Sequence, residues 1–418
     1  MDRKCKTWVR SPLSNLTEPA AIAFSGGGDS TALLHACAAH PFITHAFIID
    51  HALRAGSAAE VERSAEFARS LGYQVHTKRW THEGVISGIQ VKARQYRYAA
   101  MGQMCRSAGL KHLITAHTAD DQAETLLMRL DRGTGWRGLA GMRKAAFAPL
   151  WPALMGVTLH RPWLDVSRAE LRAYNADMKL EYVDDPSNEN RDFTRVRARQ
   201  ALAIDQDLRA DLLKQQTEAL DRLNVERRNE ANWLSRFANI SPDGFVETSA
   251  VPTPELLLHM LNSVSGQGGP IDAAKRRRLA KAMTDSDFSG MTLSGAWIKK
   301  TLDGFLFTRD MVAVKTRRAD ITSLEPLAFQ VKLGEPCLWD GRFLIHAKTH
   351  NIQVEPALGK LGKLRDATET KYIFDLPAEV RGCLPLYSKA KNYLGFGGFE
   401  DANLKAEAVS AQRLHHLI

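Results

Sequence analysis

The chain has 418 residues, of which 44% are hydrophobic and 25% charged, and it carries a formal net charge of +9. This balance excludes a chain dominated by disorder, and the length predicts two or three domains. Apolar runs are too short for a membrane span, and the N-terminal residues show no hydrophobic signal core. We therefore expect a cytoplasmic protein without membrane contact, and the positive charge favours a polyanionic partner.

Cysteine usage indicates the redox environment. The chain has five cysteines, which are widely scattered and form no CxxC pair: Cys5, Cys37, Cys105, Cys337 and Cys383. An odd and dispersed set is typical of a reducing compartment, and it argues against a disulfide framework, a zinc site or an iron–sulfur site. The expectation is a chain with no resident metal.

Residues 19–165 alternate short apolar segments with amphipathic ones. The apolar segments predict strands at Ala20–Phe24, His45–Asp50, Gln74–Arg79 and His112–Ala116, and a fifth near Val157–His160. The amphipathic segments predict helices at Ser30–Ala39, Ala58–Leu71, Val91–Ala108 and Asp121–Leu130. This alternation predicts an α/β fold with a doubly wound parallel sheet, in which ligands bind beyond the carboxyl ends of the strands.

The first predicted strand runs into the loop Ser25-Gly26-Gly27-Gly28-Asp29-Ser30 and then into a helix. Consecutive glycines allow a tight turn with exposed N–H groups, and the helix directs its positive end at the same point. The loop therefore predicts a phosphate site, although it lacks the GxxxxGK[ST] pattern of Walker-type loops. The alternative is a turn that binds nothing, but such a turn needs neither the serines nor Asp29.

Two further motifs follow predicted strands. Asp50-His51-Ala52-Leu53-Arg54 follows the second strand, and the segment from Ala116 to Thr125, with Asp120, Asp121 and Glu124, follows the fourth. Their positions predict one rim that combines a phosphate loop, histidine, arginine and carboxylates. Two alternatives stay open: the two aspartates could cap the helix that they open, and His51 and His117 could be ordinary strand-end histidines.

The remainder of the chain is less regular. Ser167 and Glu170 form the capping-box pattern of a helix start, and a turn-rich stretch leads to a helix with Arg195, Arg197 and Arg199. These arginines alternate by two, so not all of them can reach one site. Further along we predict a charged helix within 205–240, a hairpin about Asp303-Gly304, and short strands after residue 327.

Several of these segments together resemble the tRNA(Ile)-lysidine synthetase family of the PP-loop ATP pyrophosphatase superfamily. The matching pieces occur in the expected order over about half of the chain: SGGGDS, IIDHALR, ARQYRY, AHTADDQAETLLMRLDRGTG, RPWLDVSRAEL and DDPSNENRDFTRVRAR. The resemblance implies a catalytic ATP-binding domain over 1–204, a helical tRNA-binding domain with a terminal hairpin over 205–320, and a small α+β domain over 327–418 that contacts tRNA.

The resemblance also implies an activity. Members of the family ligate lysine to C2 of the wobble cytidine of tRNA(Ile) with a CAU anticodon, through an adenylated tRNA, giving lysidine, AMP and pyrophosphate. It implies ATP with Mg²⁺ as cofactors and L-lysine and that tRNA as partners, and it leaves a homodimer open. The rival functions are a PP-loop tRNA thiolase, a synthetase linked to an amidotransferase, and a catalytically inactive RNA-binding protein.

Roles for single residues follow from the same resemblance. It implies that Asp121 and Glu124 bind lysine and that Arg97 and Arg195 neutralise phosphate charge, so that with Asp29 these five form the catalytic set. Arg97 could instead be a solvated helix charge. The residues implied in ATP binding are Ala23, Ser25, Gly26, Gly27, Gly28, Asp29, Ser30, Asp50 and His51.

Basic residues in the second half of the chain are candidates for the RNA stem. They are the run Lys275, Arg276, Arg277 and Arg278 and the pair Lys299 and Lys300. Stems are held largely through their phosphates, which such residues can neutralise. The alternative is that the run is simply a solvated helix face.

Overall fold

A computed structural model describes residues 13–53, 56–81, 88–183, 194–315, 327–365, 369–390 and 392–416. The chain divides into two compact units, Met1–Glu226 and Arg227–Ile418. Within the described ranges, no helix is both long enough and apolar enough to cross a membrane.

The first unit alternates strands and helices. Its strands are β1 (Ala20–Ala23), β2 (Ile43–Asp50), β3 (Gln74–Arg79), β4 (His112–Ile114), β5 (Ala145–Phe147) and β6 (Thr158–His160). Its helices are α1 (Gly28–Cys37), α2 (Ser57–Ser70), α3 (Ile89–Ser107), α4 (Ala119–Leu130), α5 (Trp136–Leu139), α6 (Arg168–Asp177), α7 (Thr194–Ile204) and α8 (Gln206–Phe237), the last of which continues into the second unit.

The six strands form one sheet in the order β3-β2-β1-β4-β6-β5. Every pairing is parallel except that of β5 with β6, which confirms the predicted doubly wound α/β sheet. Adjacent residues of β1 belong to different hydrophobic clusters, because successive strand residues point to opposite faces. Ile22 packs in the same cluster as Leu33, and Ala21 packs in the same cluster as Phe47. The sheet is therefore packed on both faces.

The predicted elements of this unit agree with the structure to within two residues at each end. The capping box of Ser167 and Glu170 at the start of α6 is also confirmed. The edge strand β5 was not predicted, because three residues are too few to show a period.

The described residues of the second unit form three antiparallel sheets. Its strands are β7 (Ala238–Ile240), β8 (Val246–Thr248), β9 (Gly290–Leu293), β10 (Ala296–Lys300), β11 (Phe305–Arg309), β12 (Phe329–Val331), β13 (Cys337–Trp339), β14 (Phe343–Ala347), β15 (Ile352–Pro356), β16 (Pro385–Lys389), β17 (Asn392–Phe396), β18 (Phe399–Glu400) and β19 (Leu404–Ala408). The sheet orders are β7-β8-β11-β10-β9, β12-β15-β16-β17 and β13-β14-β19-β18.

Short helices accompany these sheets. They are α9 (Pro254–Ser265), α10 (Ala273–Met283), α11 (Met311–Lys315), α12 (Leu361–Leu364), a 3₁₀ helix over Lys371–Asp375, α13 (Ala378–Arg381) and α14 (Val409–His415). The predicted hairpin about Asp303-Gly304 is confirmed by the antiparallel pairing of β10 with β11. Gly304 has a φ of +146°, and a Cβ there would lie 1.9 Å from the backbone oxygen of Thr248.

Hydrophobic clusters join the segments before and after residue 320. Phe245 and Leu306 pack in the same cluster as Phe343, while Leu414 packs in the same cluster as Leu257. The predicted segments 205–320 and 327–418 therefore share hydrophobic cores, and their separation into two domains stays a prediction.

A buried ion-pair group connects two of the sheets. Asp340, which precedes β14, accepts hydrogen bonds from Arg309 of β11 at 3.0 and 3.3 Å and from Arg342 Nε at 2.9 Å. The Asp340 side chain is fully buried, and the two arginine side chains are almost so. This one carboxylate compensates two buried cations.

Candidate functional site

The glycine-rich loop forms the N-terminus of α1. Gly27 is the N-cap residue and no side chain caps the helix, so the first-turn N–H groups remain directed outward. Ser25 Oγ and Ser30 Oγ lie 3.0 Å apart, and Ser30 Oγ also donates to the backbone oxygen of Gly27 at 2.9 Å. The geometry suits an anion, since the N–H groups and the helix dipole act in the same direction.

Neighbouring chain segments hold the loop from its other side. Val183 N donates to the oxygen of Gly26 and Asn175 Nδ2 to that of Gly28, both at 2.9 Å. A Cβ on Gly26, whose φ is +76°, would lie 2.6 Å from Ser64 Oγ, and one on Gly28 would lie 3.2 Å from the Tyr182 ring. Gly26 is therefore favoured by its backbone conformation, and Gly28 by the limited space beside Tyr182.

The carboxyl end of β2 lies beside the loop strand β1, which ends at Ala23. Asp50 Oδ1 accepts from Ala52 N at 2.8 Å, and Asp50 Oδ2 lies 3.5 Å from an Arg79 nitrogen. Burial lowers the pKa of His51, and Arg97 adds to this effect. A neutral histidine therefore stands at the predicted adenosine border.

Arg168, at the first position of α6, connects the loop to α4. Its Nε donates to Asp29 Oδ2 at 3.3 Å, its Nη2 to Asp121 Oδ1 at 3.2 Å and its Nη1 to Glu124 Oε1 at 3.5 Å. A planar guanidinium can serve three carboxylates in this way, whereas a lysine ammonium could not reach all three. Arg168 was not among the predicted site residues, because only the fold brings it near residues that are distant in the chain.

Two arginines of α7 complete the group around Glu124. Arg195 donates to Glu124 Oε2 at 2.7 Å and to Asp121 Oδ1 at 2.8 Å, and Arg199 donates to Glu124 Oε1 at 2.8 Å. Arg197 is exposed, as expected from the spacing of the three arginines. The Glu124 side chain is only 1% exposed, so it is a buried carboxylate bound by three guanidinium groups. Arg199 was not among the predicted site residues.

The two aspartates at the start of α4 have different surroundings. Asp121 Oδ2 accepts from both the backbone nitrogen and the Oγ1 of Thr118 at 2.9 Å, so it forms a capping box while its other oxygen binds arginine. Asp120 accepts from Arg168 N at 2.7 Å and lies 3.2 Å from a nitrogen of Arg209. Asp121 therefore caps α4 with one oxygen and binds the site arginines with the other.

The pKa shifts of the two site aspartates have opposite signs. Burial raises the pKa of Asp29 and outweighs the nearby Arg168, which lowers it. Burial also disfavours the ionised form of Asp121, but Arg195 and Arg168 outweigh burial there and hold its pKa below the usual range. Asp121 is therefore firmly ionised, and Asp29 is the carboxylate that an adjacent cation would stabilise most.

Arg97 and His117 are not fully solvated. Burial lowers the pKa of Arg97, which also lies with its guanidinium carbon 5.3 Å from the Tyr98 ring centre. Burial lowers the pKa of His117 to about 3, and Thr115 Oγ1 lies 2.8 Å from its Nδ1. His117 is thus a neutral, hydrogen-bonded side chain at the end of a strand.

The predicted RNA-stem residues lie in the second unit. On α10, Lys275, Arg277 and Arg278 are exposed, but Arg276 turns inward and donates to the backbone oxygens of Ile271 and Pro254. On β10, Lys299 pairs with Glu379, and Lys300 lies 4.4 Å from the ring centre of Phe305. The exposed charge of the α10 run thus comes from three residues.

Comparison with known proteins gives a consistent assignment. The PP-loop domain family matches residues 2–205. The tRNA(Ile)-lysidine synthase of Hyphomonas neptunium is 37% identical over 297 residues, covering 68% of this chain and 79% of that protein. Those of Bradyrhizobium diazoefficiens and Ruegeria pomeroyi are 35% and 31% identical, covering 65% and 82% of this chain and 79% and 80% of the relatives. The chain therefore belongs to the tRNA(Ile)-lysidine synthase family of ATP-utilising PP-loop ligases.

Proposed function

We propose that this protein ligates lysine to C2 of the wobble cytidine of tRNA(Ile) with a CAU anticodon, at the expense of ATP. The observation that carries the proposal is the Arg168 guanidinium, which contacts Asp29 of the phosphate loop together with Asp121 and Glu124. One group thus connects the proposed ATP-phosphate site with the proposed lysine site. A reaction that joins several substrates needs such a common centre.

The chemistry requires two steps. In the first step, O2 of the cytidine attacks the α-phosphorus of ATP, so that an O–P bond forms and the bond to pyrophosphate breaks. In the second step, the side-chain amine of lysine attacks C2, a C–N bond forms, and O2 leaves as part of AMP. Adenylation is needed because a ring carbonyl has no good leaving group of its own.

The phosphate loop would hold ATP through its N–H groups and the hydroxyls of Ser25 and Ser30. Arg97 and Arg195 would neutralise the charge that develops on the phosphate during adenylation. Mg²⁺ would enter with ATP beside Asp29. Burial raises the pKa of this carboxyl group, and an adjacent cation would stabilise its ionised form. In that position Mg²⁺ would supply further neutralisation of phosphate charge.

For lysine, we assign direct contact to Asp121 and a supporting role to Glu124. The Asp121 side chain is 13% exposed and the Glu124 side chain 1% exposed, so Asp121 is the more accessible of the two carboxylates to an incoming ammonium. Lysine has an ordinary pKa near 10.4, so its side chain arrives as an ammonium, which the ionised Asp121 carboxylate binds; the amine must lose a proton before it attacks C2, and a carboxylate in contact can accept that proton as general base. Glu124 holds Arg168, Arg195 and Arg199 in place.

The thiolase alternative is disfavoured by the cysteines. Burial raises the pKa of the Cys105 thiol to about 12 and that of Cys383 to about 11, so both remain protonated at neutral pH. Cys37 is buried as well, while Cys5 lies outside the described residues. Thiol chemistry needs an accessible thiolate, which none of these three buried residues offers, and the partly exposed Cys337 belongs to no CxxC pair.

The decisive experiment combines purified protein, ATP, magnesium, labelled lysine and an isoleucine tRNA with a CAU anticodon. We expect label on the tRNA and release of AMP. Asp29→Ala should abolish both while leaving tRNA affinity nearly unchanged, since Asp29 belongs to the phosphate site. Labelling that proceeds without ATP would contradict the proposal, and a joint loss of activity and tRNA binding would give Asp29 a structural role.

A second prediction concerns the α10 run. Replacing Lys275, Arg277 and Arg278 with alanine should weaken tRNA binding and reduce its salt dependence by a slope of up to ~1 for each RNA phosphate that is no longer neutralised. Arg276→Ala is the control for charge alone, because it removes one positive charge from an inward-facing side chain of the same run and should leave the slope unchanged. Binding measured at several salt concentrations tests this. An unchanged slope in the triple variant would identify the run as a solvated face.

A further inference from the structure

An aromatic stack lies at the edge of the site and has no role in the chemistry proposed above. Trp80, which follows β3, and Tyr96 of α3 have ring centres 5.5 Å apart and planes within 20° of parallel. Both side chains are partly exposed. Since single-stranded nucleic acids are commonly bound by stacking their bases on such rings, the pair could receive a base.

One hydrogen bond holds the Tyr96 ring in place and another holds the Trp80 backbone before any ligand binds. Tyr96 OH donates to the backbone oxygen of Arg79 at 2.7 Å, and Trp80 N donates to the backbone oxygen of Asp50 at 2.8 Å. The His51 ring meets Trp80 edge-on with centres 6.4 Å apart. The stack is therefore anchored to the β2 end that borders the proposed adenosine site. A preformed surface binds with less loss of conformational entropy.

Basic residues lie near the pair along β3 and α3. Arg79 immediately precedes Trp80, with its side chain 61% exposed, and Lys92 is exposed one helical turn before Tyr96 on the same face of α3. Lys78 of β3 reaches Gln103, which is also on α3. Aromatic rings interleaved with basic residues are the pattern of a single-stranded nucleic-acid surface.

The positive charge near the stack favours an RNA base over the adenine of ATP as its ligand. The phosphates of ATP would lie on the loop after β1, and β3 is separated from β1 by β2, at about 4.8 Å per strand. An adenine ring that reached Trp80 would bring no phosphate to Arg79, Lys78 or Lys92. An RNA strand carries a phosphate on each side of every base, so it uses both the rings and the cations.

We propose that Trp80 and Tyr96 form a stacking surface for an unpaired anticodon-loop nucleotide next to the one that enters the site. This inference rests on the proposed function, because it needs an RNA loop at this rim. The stack contributes to RNA affinity and to the position of the loop, and the reacting atoms do not contact it.

The test compares Trp80→Ala and Trp80→Phe for binding of an isolated CAU anticodon stem–loop and, separately, of ATP. We expect Trp80→Ala to weaken stem–loop binding roughly tenfold or more, the loss typical of one base–aromatic stack, with ATP affinity unchanged. Trp80→Phe should recover most of the loss. Tyr96→Ala provides the same test if Trp80→Ala is unstable, and Tyr96→Phe should lose less affinity than Tyr96→Ala, because it keeps the ring and loses only the hydrogen bond to the backbone oxygen of Arg79.

The outcomes separate this inference from the proposed function. Weaker ATP binding with unchanged stem–loop binding would assign the stack to adenine and overturn the inference, as would unchanged binding of both ligands. If the unmodified protein incorporates lysine while Trp80→Ala binds the stem–loop normally, only the inference fails. If no lysine is incorporated but Trp80→Ala still loses stem–loop affinity, only the proposed function fails.

Discussion

Arg168→Ala is expected to reduce the rate of lysine incorporation by about 10²–10³-fold, the usual cost of removing one preorganised charged donor from an active site. The substitution would separate the phosphate loop from α4, since Arg168 alone contacts Asp29, Asp121 and Glu124 together among the described residues. Arg168→Lys should recover little activity, because one ammonium cannot reproduce a three-way planar contact. Steady-state rates at saturating substrates provide the measurement.

The pH profile supplies a second readout for the same variant. Arg168 opposes the burial that raises the pKa of Asp29, so its removal should raise that pKa further. A higher pKa means that Asp29 becomes protonated at a higher pH, and the acid limb of the activity profile should therefore move upward. A purely structural role would lower activity without moving that limb.

Arg172→Ala is the matched control for this prediction. Arg172 lies one turn along the same helix, is exposed, and has a smaller influence on the pKa of Asp29. Its removal should change the rate by less than about fivefold, as for an ordinary surface charge. Equal losses in the two arginine variants would show that net charge, rather than the contacts of Arg168, sets the activity.

Asp340→Asn is expected to destabilise the second unit by about 3–5 kcal/mol, because it leaves Arg309 and Arg342 buried without a compensating charge. Asparagine is the informative replacement. Asp340 has a φ of +51°, a conformation that asparagine tolerates better than most residues, so the effect reports on the charge rather than on backbone strain. Urea unfolding of the full chain, followed for each transition, gives the free energy of unfolding.

The control for Asp340 is Glu400→Gln in the same unit. Glu400 pairs with Lys348 at 2.8 Å, but both side chains are well exposed to solvent. Exposed pairs typically contribute below about 1 kcal/mol. If Asp340→Asn lowered the free energy of unfolding no more than Glu400→Gln does, the buried ion-pair group would not stabilise the contact between its two sheets.

Local sequence patterns were sufficient for the elements that carry the site. Each strand and helix around the loop has its own apolar period, and Gly26 takes a positive φ that other residues rarely adopt. The order of elements then placed three motifs at the carboxyl ends of β1, β2 and β4. This follows because parallel strands direct their carboxyl ends to one edge.

Such local patterns could not predict the residues that connect these motifs. Arg168 lies 139 positions from Asp29 and 44 from Glu124, and Arg199 lies 75 from Glu124. A hydrophobic period or a helix-capping pattern depends on residues that are close together in the chain. It therefore carries no information about ion pairs between distant residues. Likewise, the composition of α10 could not show that Arg276 turns inward while Arg277 faces solvent.

Backbone conformation and hydrophobic period are local properties, so they were enough to predict the α/β class, the glycine-rich loop and its acidic and basic candidates. How those candidates pair depends on tertiary contacts. The tertiary structure placed Glu124 in a buried position among three arginines and left Asp121 partly exposed. Burial and charge compensation depend on segments that are distant in the chain, and folding alone brings those segments together.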